Sequence, residues 1–497
     1  MNRSFADGVA SALGWAYAGT GLRIAVQLCT GIVLARILGP YSFGLAATAW
    51  ALVGVGSQLT DLGFSAALIQ RPELTERDVR FAFTVQMSLG TAAAAGFAAM
   101  ADGLARWMGD AALAPVIRCL SAALLAQALG QTAMALLRRN LDFKTAQVAQ
   151  TAGVLAGSLL VALPLAASGR YAVLSVALGQ LTQIVVTSAL AYAAVRHAVR
   201  PVWQPEHRLM RFGLKAAATN LANWLIASLD SVAMTKAFGT GYTGYFNRAQ
   251  NLATTPASLL VQVVQSVLFP AYARRAGDAE ARRTAYLASV SATAAILLPA
   301  VTVLAILSPL VVAALYGPAW ASSAALLPPL ALAVPFQAAM ALSGPLLWAQ
   351  DRVGFELRVQ AAALVLFLLL LVLAMRLAPV WIAWSVLAVS AVRALPMVLL
   401  AFAEAGATGR DAARILGGPA VLAALAGAGA LAVSRAVAEG RYSAPERLVA
   451  VGAVVTLMLG ATMAAFHRAL LPGEVYGMVE RFRGRSRPAV VAWGGAR

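Results

Sequence analysis

A stripe of polar side chains runs along an otherwise apolar segment near the N-terminus. Thr20, Arg23, Gln27 and Thr30 follow one another at spacings of 3, 4 and 3 residues, which puts them on one face of a helix. Arginine at bilayer depth is unfavourable by roughly 2.5–3.5 kcal/mol on insertion scales, so Arg23 needs a partner or a hydrated cavity. The stripe therefore predicts a helix that lines a polar cavity.

Arg23 has the chemistry of an anion-binding group. A guanidinium pairs bidentately with phosphate and stays charged at any working pH, so we interpret Arg23 as the group that holds an anionic head group. The alternative is a structural ion pair with Asp61 or Asp230, which also lie in apolar segments. Each of these carboxylates is itself a candidate for ion coupling or gating, and for Asp61 helix capping is an equal alternative.

A second polar stripe follows the segment that begins GYFNRAQNLATTP. Arg248 lies one position off this stripe, and it either binds substrate or extends its charge to the membrane surface. The spacing of 3 or 4 residues predicts a cavity wall, with polar helix packing as the alternative. The stripe consists of Asn247, Asn251, Thr255, Ser258, Gln262 and Gln265.

Composition places these stripes in a membrane protein. The chain has 497 residues, of which 61% are hydrophobic and 12% charged, against about 45–50% and about 25% in soluble domains. Apolar runs of about 20 residues predict helices rather than the alternating strands of a membrane barrel. We predict an all-α polytopic membrane protein with fourteen spans, at about 12–37, 43–67, 81–105, 112–137, 146–168, 171–195, 212–236, 242–269, 285–314, 321–348, 357–375, 380–403, 412–434 and 446–469.

The distribution of Lys and Arg predicts the orientation. With the N-terminus in the cytoplasm, cytoplasmic loops hold 26 of these residues and the opposite side 9. Positive residues gather in cytoplasmic loops, so we expect a multi-pass membrane protein with both termini in the cytoplasm.

Motifs for other chemistries are missing from the sequence. It contains no GxxxxGK[ST], HExxH or GxSxG, so neither ATP hydrolysis nor an enzyme active site is predicted. The two cysteines lie in apolar runs and the three histidines are scattered, so neither a metal site nor a cofactor is expected. The net charge of +18 is explained by the Lys and Arg residues of the cytoplasmic loops, so no nucleic-acid partner is expected.

The first segment recurs 200 residues later. The turn RILGPYSFG at 36–44 is matched by KAFGTGYTG at 236–244, and the polar stripe recurs in register as Asn220, Asn223 and Asp230. Chance is the alternative, but agreement of turn and stripe at one offset favours a duplication. Asn220 and Asn223 join the candidate cavity residues.

The duplication predicts the domain organisation. Six spans separate the copies, so both halves have the same orientation and are related by an axis along the membrane normal. We expect two pseudo-symmetric six-helix lobes at 1–200 and 201–405, two additional C-terminal helices at 406–470 and a basic cytoplasmic tail at 471–497.

Several stretches resemble a known family. They are ARILGPYSFGLAA (35–47), TDLGFSAALIQRPELTERDVRFAF (60–83), LLRRNLDFK (136–144), LDSVAMTKAFGTGYTGYFNRAQNLATTP (229–256) and VLFPAYARR (267–275). Together they are similar to oligosaccharide flippases of the multidrug/oligosaccharidyl-lipid/polysaccharide exporter superfamily, especially the lipopolysaccharide and colanic-acid-type exporters.

The resemblance implies a function. Proteins of this kind are thought to move an undecaprenyl-pyrophosphate-linked oligosaccharide repeat unit across the inner membrane by alternating access, for surface polysaccharide synthesis. It implies a lipid-linked oligosaccharide and membrane lipids as partners, with polysaccharide polymerase and chain-length machinery as further ones. Arg23 occupies a place in the first helix where such flippases tend to have basic cavity residues.

Two other functions compete with this interpretation. A cation-coupled multidrug antiporter of the same superfamily would prefer a cavity of carboxylates and aromatic rings, whereas the stripes here contain arginine and amides. A membrane polymerase or ligase would be expected to have a large outer loop, and none is predicted.

Overall fold

A computed structural model shows the chain as a bundle of helices. It describes residues 3–70, 73–169, 171–203, 207–274, 279–350, 352–436 and 443–450, with isolated positions up to 460. Most of the last predicted span, 446–469, and the whole tail, 471–497, lie outside these residues. Within the described residues there is no strand, and the predicted all-helical membrane fold is confirmed.

The helices follow the apolar runs. A π-helical segment, Ala156–Ala162, joins α5 to α6, and a short 3₁₀ turn, Pro318–Trp320, precedes α12. The helices are α1 Arg3–Asp61, α2 Phe64–Gln70, α3 Glu76–Met108, α4 Leu113–Arg139, α5 Phe143–Leu155, α6 Leu163–Ala167, α7 Ala172–Val195, α8 His207–Phe238, α9 Thr240–Arg274, α10 Ala279–Ile306, α11 Ser308–Leu315, α12 Ala321–Ala349, α13 Val353–Ala374, α14 Pro379–Glu404 and α15 Gly409–Ala436.

Helix α1 contains two of the predicted spans. Gly39 interrupts it with φ 70° and ψ 179°, and Pro40 follows directly. A positive φ is strained for residues with a Cβ, so glycine suits this kink, and proline begins the second arm at no cost because a first-turn N–H has no helical partner. The turn predicted from RILGPYSFG therefore lies between two arms of one long helix.

Ten of the described helical stretches are long and apolar enough to cross a membrane. The first, Gly19–Ile69, includes both arms of α1 and thus two predicted spans. Helices α8 and α9, which contain the second copy of the turn, are 32 and 35 residues long.

The chain divides into two compact units. The first comprises residues 1–255, 308–330 and 357–389, and the second comprises 256–307, 331–356 and 390–497. In the first, α4 packs against both α3 and α7 around a core that includes Leu45, Leu120 and Leu124. In the second, α10 packs against α15. The predicted division into lobes at residue 200 stays a prediction.

The two copies of the turn meet within the first unit. A methyl group added to Gly44 would overlap the carbonyl oxygen of Thr240, and one added to Gly244 would overlap the carbonyl oxygen of Pro40. Both relations join equivalent positions of the 200-residue repeat, so the contact is reciprocal. Main chain therefore meets main chain at a crossing, hereafter the glycine crossing, that glycine alone permits.

Basic side chains beside the two turns cap helices of the opposite repeat. Arg36 donates from Nε to the carbonyl of Leu315 at 2.8 Å and from Nη2 to that of Ala314 at 2.5 Å, at the end of α11. Its counterpart Lys236 donates to the carbonyl of Trp107, near the end of α3. The last carbonyls of a helix have no partner within it, and cations stabilise that end.

Candidate functional site

Two polar cavities lie within the first compact unit. The Arg248 cavity has a volume of about 420 Å³ and is bounded by both arms of α1, the π-helical segment, α7, α8 and α9. The Arg23 cavity has a volume of about 480 Å³ and is bounded by α1, α2, α4, α5 and α7. Trp50 and Gln183 line both cavities.

Arg248 lies half-buried in the first of these cavities. Its guanidinium carbon is 4.1 Å from the centre of the Phe43 ring, a cation–π distance, and Nη2 donates to the Asn247 side-chain oxygen at 3.2 Å. Asn251 donates to the same oxygen at 3.0 Å. The Arg248 Nε is buried and finds no hydrogen-bond partner in the described chain. The charge is therefore positioned by a ring and an amide rather than neutralised.

A buried phenol faces the same cavity. Burial raises the pKa of Tyr316, although the positive charge of Arg248 acts in the opposite direction. Tyr316 therefore remains protonated at neutral pH and is able to donate a hydrogen bond.

Arg23 is half-buried in the second cavity, beside another arginine. It donates from Nη1 to the Gln150 side-chain oxygen of α5, and Arg138 of α4 lines the same cavity. Arg138 is the penultimate residue of α4, and it adds a second positive charge to this cavity. Gln127 also lines it and donates to Ser57 at 2.8 Å.

Asp61 lies at the C-terminal end of α1 and lines the Arg23 cavity. Its Oδ1 accepts hydrogen bonds from the Ser65 hydroxyl at 2.5 Å, the Ser65 backbone N–H at 3.2 Å and the Gln86 amide at 2.9 Å. These contacts fasten the start of α2 and a neighbouring helix to the carboxylate, as a capping function requires. The Oδ1 of Asp61 thus stabilises the junction between helices, while the residue also borders the Arg23 cavity.

Asp230 is buried, with 1% of its surface exposed. Its Oδ1 accepts from the Ser231 backbone N–H at 2.6 Å and from the Ser231 hydroxyl at 3.2 Å, and Oδ2 accepts from Gln250 at 3.2 Å. Ser231 and Gln250 line the Arg248 cavity. A buried carboxylate is therefore separated from the cavity by its own hydrogen-bond partners.

The ion pairs considered from sequence do not form in the described residues. The ion pairs there include neither Arg23 nor Arg248, and Asp61 and Asp230 bond to hydroxyl, amide and backbone groups instead. In the same residues, no group of three or more His, Cys, Asp or Glu could hold a metal ion.

Of the remaining predicted cavity residues, two line a described cavity and two do not. Gln27 and Thr30 line the Arg248 cavity, although the Thr30 hydroxyl donates to the carbonyl of Val26 at 2.7 Å. Asn220 is exposed and Asn223 half-buried, and neither is among the described lining residues of the two cavities. Their participation in substrate binding stays a prediction.

Several lining residues escaped the sequence analysis although a signal was present. Gln180, Gln183 and Thr187 follow α7 at spacings of 3 and 4, the same pattern that identified the stripe of α1. Trp50 and Trp224 gave no such signal, because tryptophan in an apolar run is equally suited to lipid or core.

Comparison with known proteins decides the family. A family model described as polysaccharide biosynthesis protein matches residues 33–325, more than half of the chain. The chain belongs to this family. The matched range contains both copies of the turn and all predicted cavity residues except Arg23, Gln27 and Thr30, which precede it. The resemblance stated from the sequence motifs is confirmed.

Curated relatives agree with this assignment. The chain is 26% identical over 321 residues to the lipopolysaccharide biosynthesis protein WzxC of Escherichia coli K12, and 26% identical over 312 residues to the succinoglycan biosynthesis transport protein ExoT of Rhizobium meliloti. It is 24% identical over 312 residues to the teichuronic acid biosynthesis protein TuaB of Bacillus subtilis. The first two alignments cover 62% of this chain and 63% of each relative, less than two thirds of their length.

Solved structures share the fold. The lipid II flippase MurJ in an inward closed conformation superposes with a TM-score of 0.72 at 12% identity, covering 90% of this chain and 98% of that one. An inward-facing multidrug resistance MATE family transporter of the MOP superfamily gives 0.54 at 18% identity, covering 80% and 98%. At these identities the likeness establishes the helical membrane fold and nothing about the cargo.

Proposed function

We propose that this protein is a flippase that moves an undecaprenyl-pyrophosphate-linked oligosaccharide repeat unit to the periplasmic face of the inner membrane by alternating access. One observation carries the proposal: two guanidinium groups, Arg23 and Arg248, border polar cavities and join no ion pair in the described chain. An unneutralised charge in a membrane protein is costly and is retained where it binds something. A pyrophosphate supplies the missing negative charge.

The head group would meet the two arginines in order. Arg138 and Asp61 of the Arg23 cavity lie toward the side that the distribution of Lys and Arg assigns to the cytoplasm, so the pyrophosphate would enter there. Trp50 and Gln183, shared by both cavities, form the boundary to Arg248. The polyprenyl tail would remain in lipid while the head group passes from one guanidinium to the other.

Asp230 is the best candidate for a coupling ion. Its buried carboxylate is bonded to neutral donors, so binding a proton or sodium ion there would relieve an uncompensated charge. Asp61 is the second candidate, although its bonds to Ser65 and Gln86 also fit capping. In the cell, a polysaccharide polymerase and chain-length machinery would receive the flipped unit, and no enzymatic step is assigned to this chain.

The test replaces each arginine in a strain that depends on this protein for surface polysaccharide. Arg23→Ala and Arg248→Ala should each reduce export tenfold or more, the range for losing charge-assisted hydrogen bonds to phosphate. Arg23→Lys should restore part of the loss, since lysine supplies charge without bidentate geometry. Arg106→Ala, which removes an exposed arginine at the end of α3, is the matched control and should export normally. Full export by both alanine variants at normal membrane levels would overturn the proposal.

A cation-coupled multidrug antiporter is the second candidate. The buried Asp230 and the likeness to a multidrug resistance MATE family transporter favour it. The two cavity arginines oppose it, because they repel the cationic amphiphiles that such a cavity would bind. Susceptibility of the strain to lipophilic cations separates the two candidates. When the gene for this protein is deleted together with its polysaccharide pathway, susceptibility should stay unchanged if the protein is a flippase and should rise if it is an antiporter.

A further inference from the structure

We infer that Trp50, Trp224 and Gln180 form a subsite for a sugar ring beside Arg248. The inference rests on the proposed function and adds to it which groups recognise the carbohydrate part of the substrate. All four residues line the Arg248 cavity and belong to the first compact unit.

The two tryptophans form a fixed aromatic corner. Their ring centroids are 6.2 Å apart and the rings are inclined by 75°, an edge-to-face pair. The Trp224 ring lies directly over Gly54, one turn after Trp50, where any Cβ would overlap it. A rigid aromatic surface that borders a polar cavity suits a ligand with one apolar face, and the C–H face of a pyranose ring is such a face.

Two polar atoms of the cavity wall lack partners. The Trp224 Nε1 and the Gln180 Oε1 are both buried, and neither has a hydrogen-bond partner among the described residues. A buried polar group without a partner costs about 1–3 kcal/mol, so such groups are uncommon and call for an explanation. Both residues line the cavity in which Arg248 is also unsatisfied at Nε.

The chemistry of these atoms selects the ligand. An indole N–H only donates and an amide oxygen only accepts. A phosphate would satisfy the indole but not the amide oxygen, and an organic cation would satisfy the amide oxygen but not the indole. Hydroxyl groups donate and accept, so a polyhydroxylated ring satisfies both.

The size and position of the cavity agree with a sugar next to a pyrophosphate. Its volume of about 420 Å³ lies within the range of pockets for drug-sized molecules. Because Arg248 and the aromatic corner share one cavity, we expect the ring held there to be the one bonded to the pyrophosphate that Arg248 holds. The subsite would therefore select the first sugar of the repeat unit rather than its outer end.

The test compares two probes on the purified full-length protein in lipid nanodiscs. One is farnesyl pyrophosphate, which has no sugar, and the other is the same molecule with one hexose attached, both measured by isothermal titration calorimetry. Trp224→Phe keeps an aromatic ring, although a smaller one, and removes the N–H, and it should weaken binding of the hexose probe about fivefold. Gln180→Leu keeps the volume and should do the same, while Trp50→Ala should weaken binding about tenfold through lost stacking.

The controls separate this inference from the proposed function. Binding of farnesyl pyrophosphate should change less than twofold in these variants, whereas Arg248→Ala should weaken both probes. Trp381→Phe alters a tryptophan that is 50% exposed and should change neither. If Arg248→Ala weakens both probes and Gln180→Leu and Trp224→Phe weaken neither, the sugar subsite is wrong and the flippase stands. If Arg248→Ala and Arg23→Ala leave both probes unaffected, the proposed function fails as well.

A third probe tests the competing ligand class. Ethidium, a lipophilic cation, should bind wild type and Trp224→Phe equally weakly. If Trp224→Phe binds ethidium more weakly than wild type does and binds the hexose probe as well as wild type does, the sugar assignment is wrong.

Discussion

The two copies of the 200-residue repeat agree at their turns and differ along their helices. At the turns, Gly39 and Gly239 both have positive φ, and Gly44 and Gly244 approach the opposite main chain in the same way. Along the helices, Arg23 lines a cavity, whereas its counterpart Asn223 is not among the described lining residues. The geometry of the turns is thus shared, while equivalent positions along the helices have different side chains and different surroundings.

The acidic residues show the same asymmetry in reverse. Thr30 donates its hydroxyl to its own helix, whereas Asp230 at the equivalent position is a buried carboxylate with three donors. At these two pairs of equivalent positions, the first copy contributes the positive charge of Arg23 and the second the negative charge of Asp230. A duplicated scaffold whose copies differ at equivalent positions can bind an anionic head group and a coupling cation at separate places.

The glycine crossing should be the most sensitive feature of the comparison. Gly44→Leu and Gly244→Leu each force a side chain into an opposing carbonyl, and we expect both to remove most of the folded protein from the membrane, to the same extent. Fluorescence-detected size-exclusion chromatography of a fluorescent fusion measures this. Gly241→Leu is the control, because a Cβ at Gly241 meets open space. A large difference between the two variants would contradict the reciprocity of the crossing.

Exchanging the interior residues tests whether the asymmetry is functional. Arg23→Asn should lower polysaccharide export tenfold or more, and adding Asn223→Arg should not restore it, because residue 223 does not border the described cavities. Asn223→Arg alone is the control for insertion of an extra charge. Recovery of export in the double variant would mean that either copy can supply the anion-binding group.

The smallest expected effect concerns the acidic positions. Asp230→Asn should reduce the stimulation of export by an ion gradient about fivefold, since an amide cannot bind a proton or sodium ion as a carboxylate does. Thr30→Val should change it less than twofold, because the Thr30 hydroxyl bonds to its own helix. Flux into inverted membrane vesicles with and without an imposed gradient provides the measurement. An Asp230→Asn protein with an unchanged gradient response would remove Asp230 from coupling.

Sequence predicted the helices, the turn after the first span and the polar stripe because each depends on local rules. Hydropathy identified the spans, RILGPYSFG identified the turn at Gly39, and helical spacing placed Gln27 and Thr30 in a cavity wall. From sequence, Arg248 could be assigned to a cavity or to the surface. The structure places it in the wall of a cavity against Phe43, and its role in substrate binding stays a prediction.

The remainder of the site depends on which helices are neighbours. Trp50 and Trp224 are 174 positions apart and meet only because α1 packs on α8. Arg138 has a loop-like sequence context and enters the Arg23 cavity because α4 ends there. For Asn220 and Asn223, a repeat in register predicts equivalent positions but not equivalent surroundings, and their role in substrate binding stays a prediction.

The glycine crossing also has a consequence for biosynthesis. Its two halves are separated by 200 residues, and at about 5–20 residues per second the ribosome needs about 10–40 s to make the second half after the first. Throughout that interval the face of α1 around Gly44 is in the membrane without its partner, with main-chain groups close to its surface. Helix α1 therefore cannot complete its packing until residues 240–244 reach the membrane, and the first compact unit is completed later still, because it also includes residues 308–330 and 357–389.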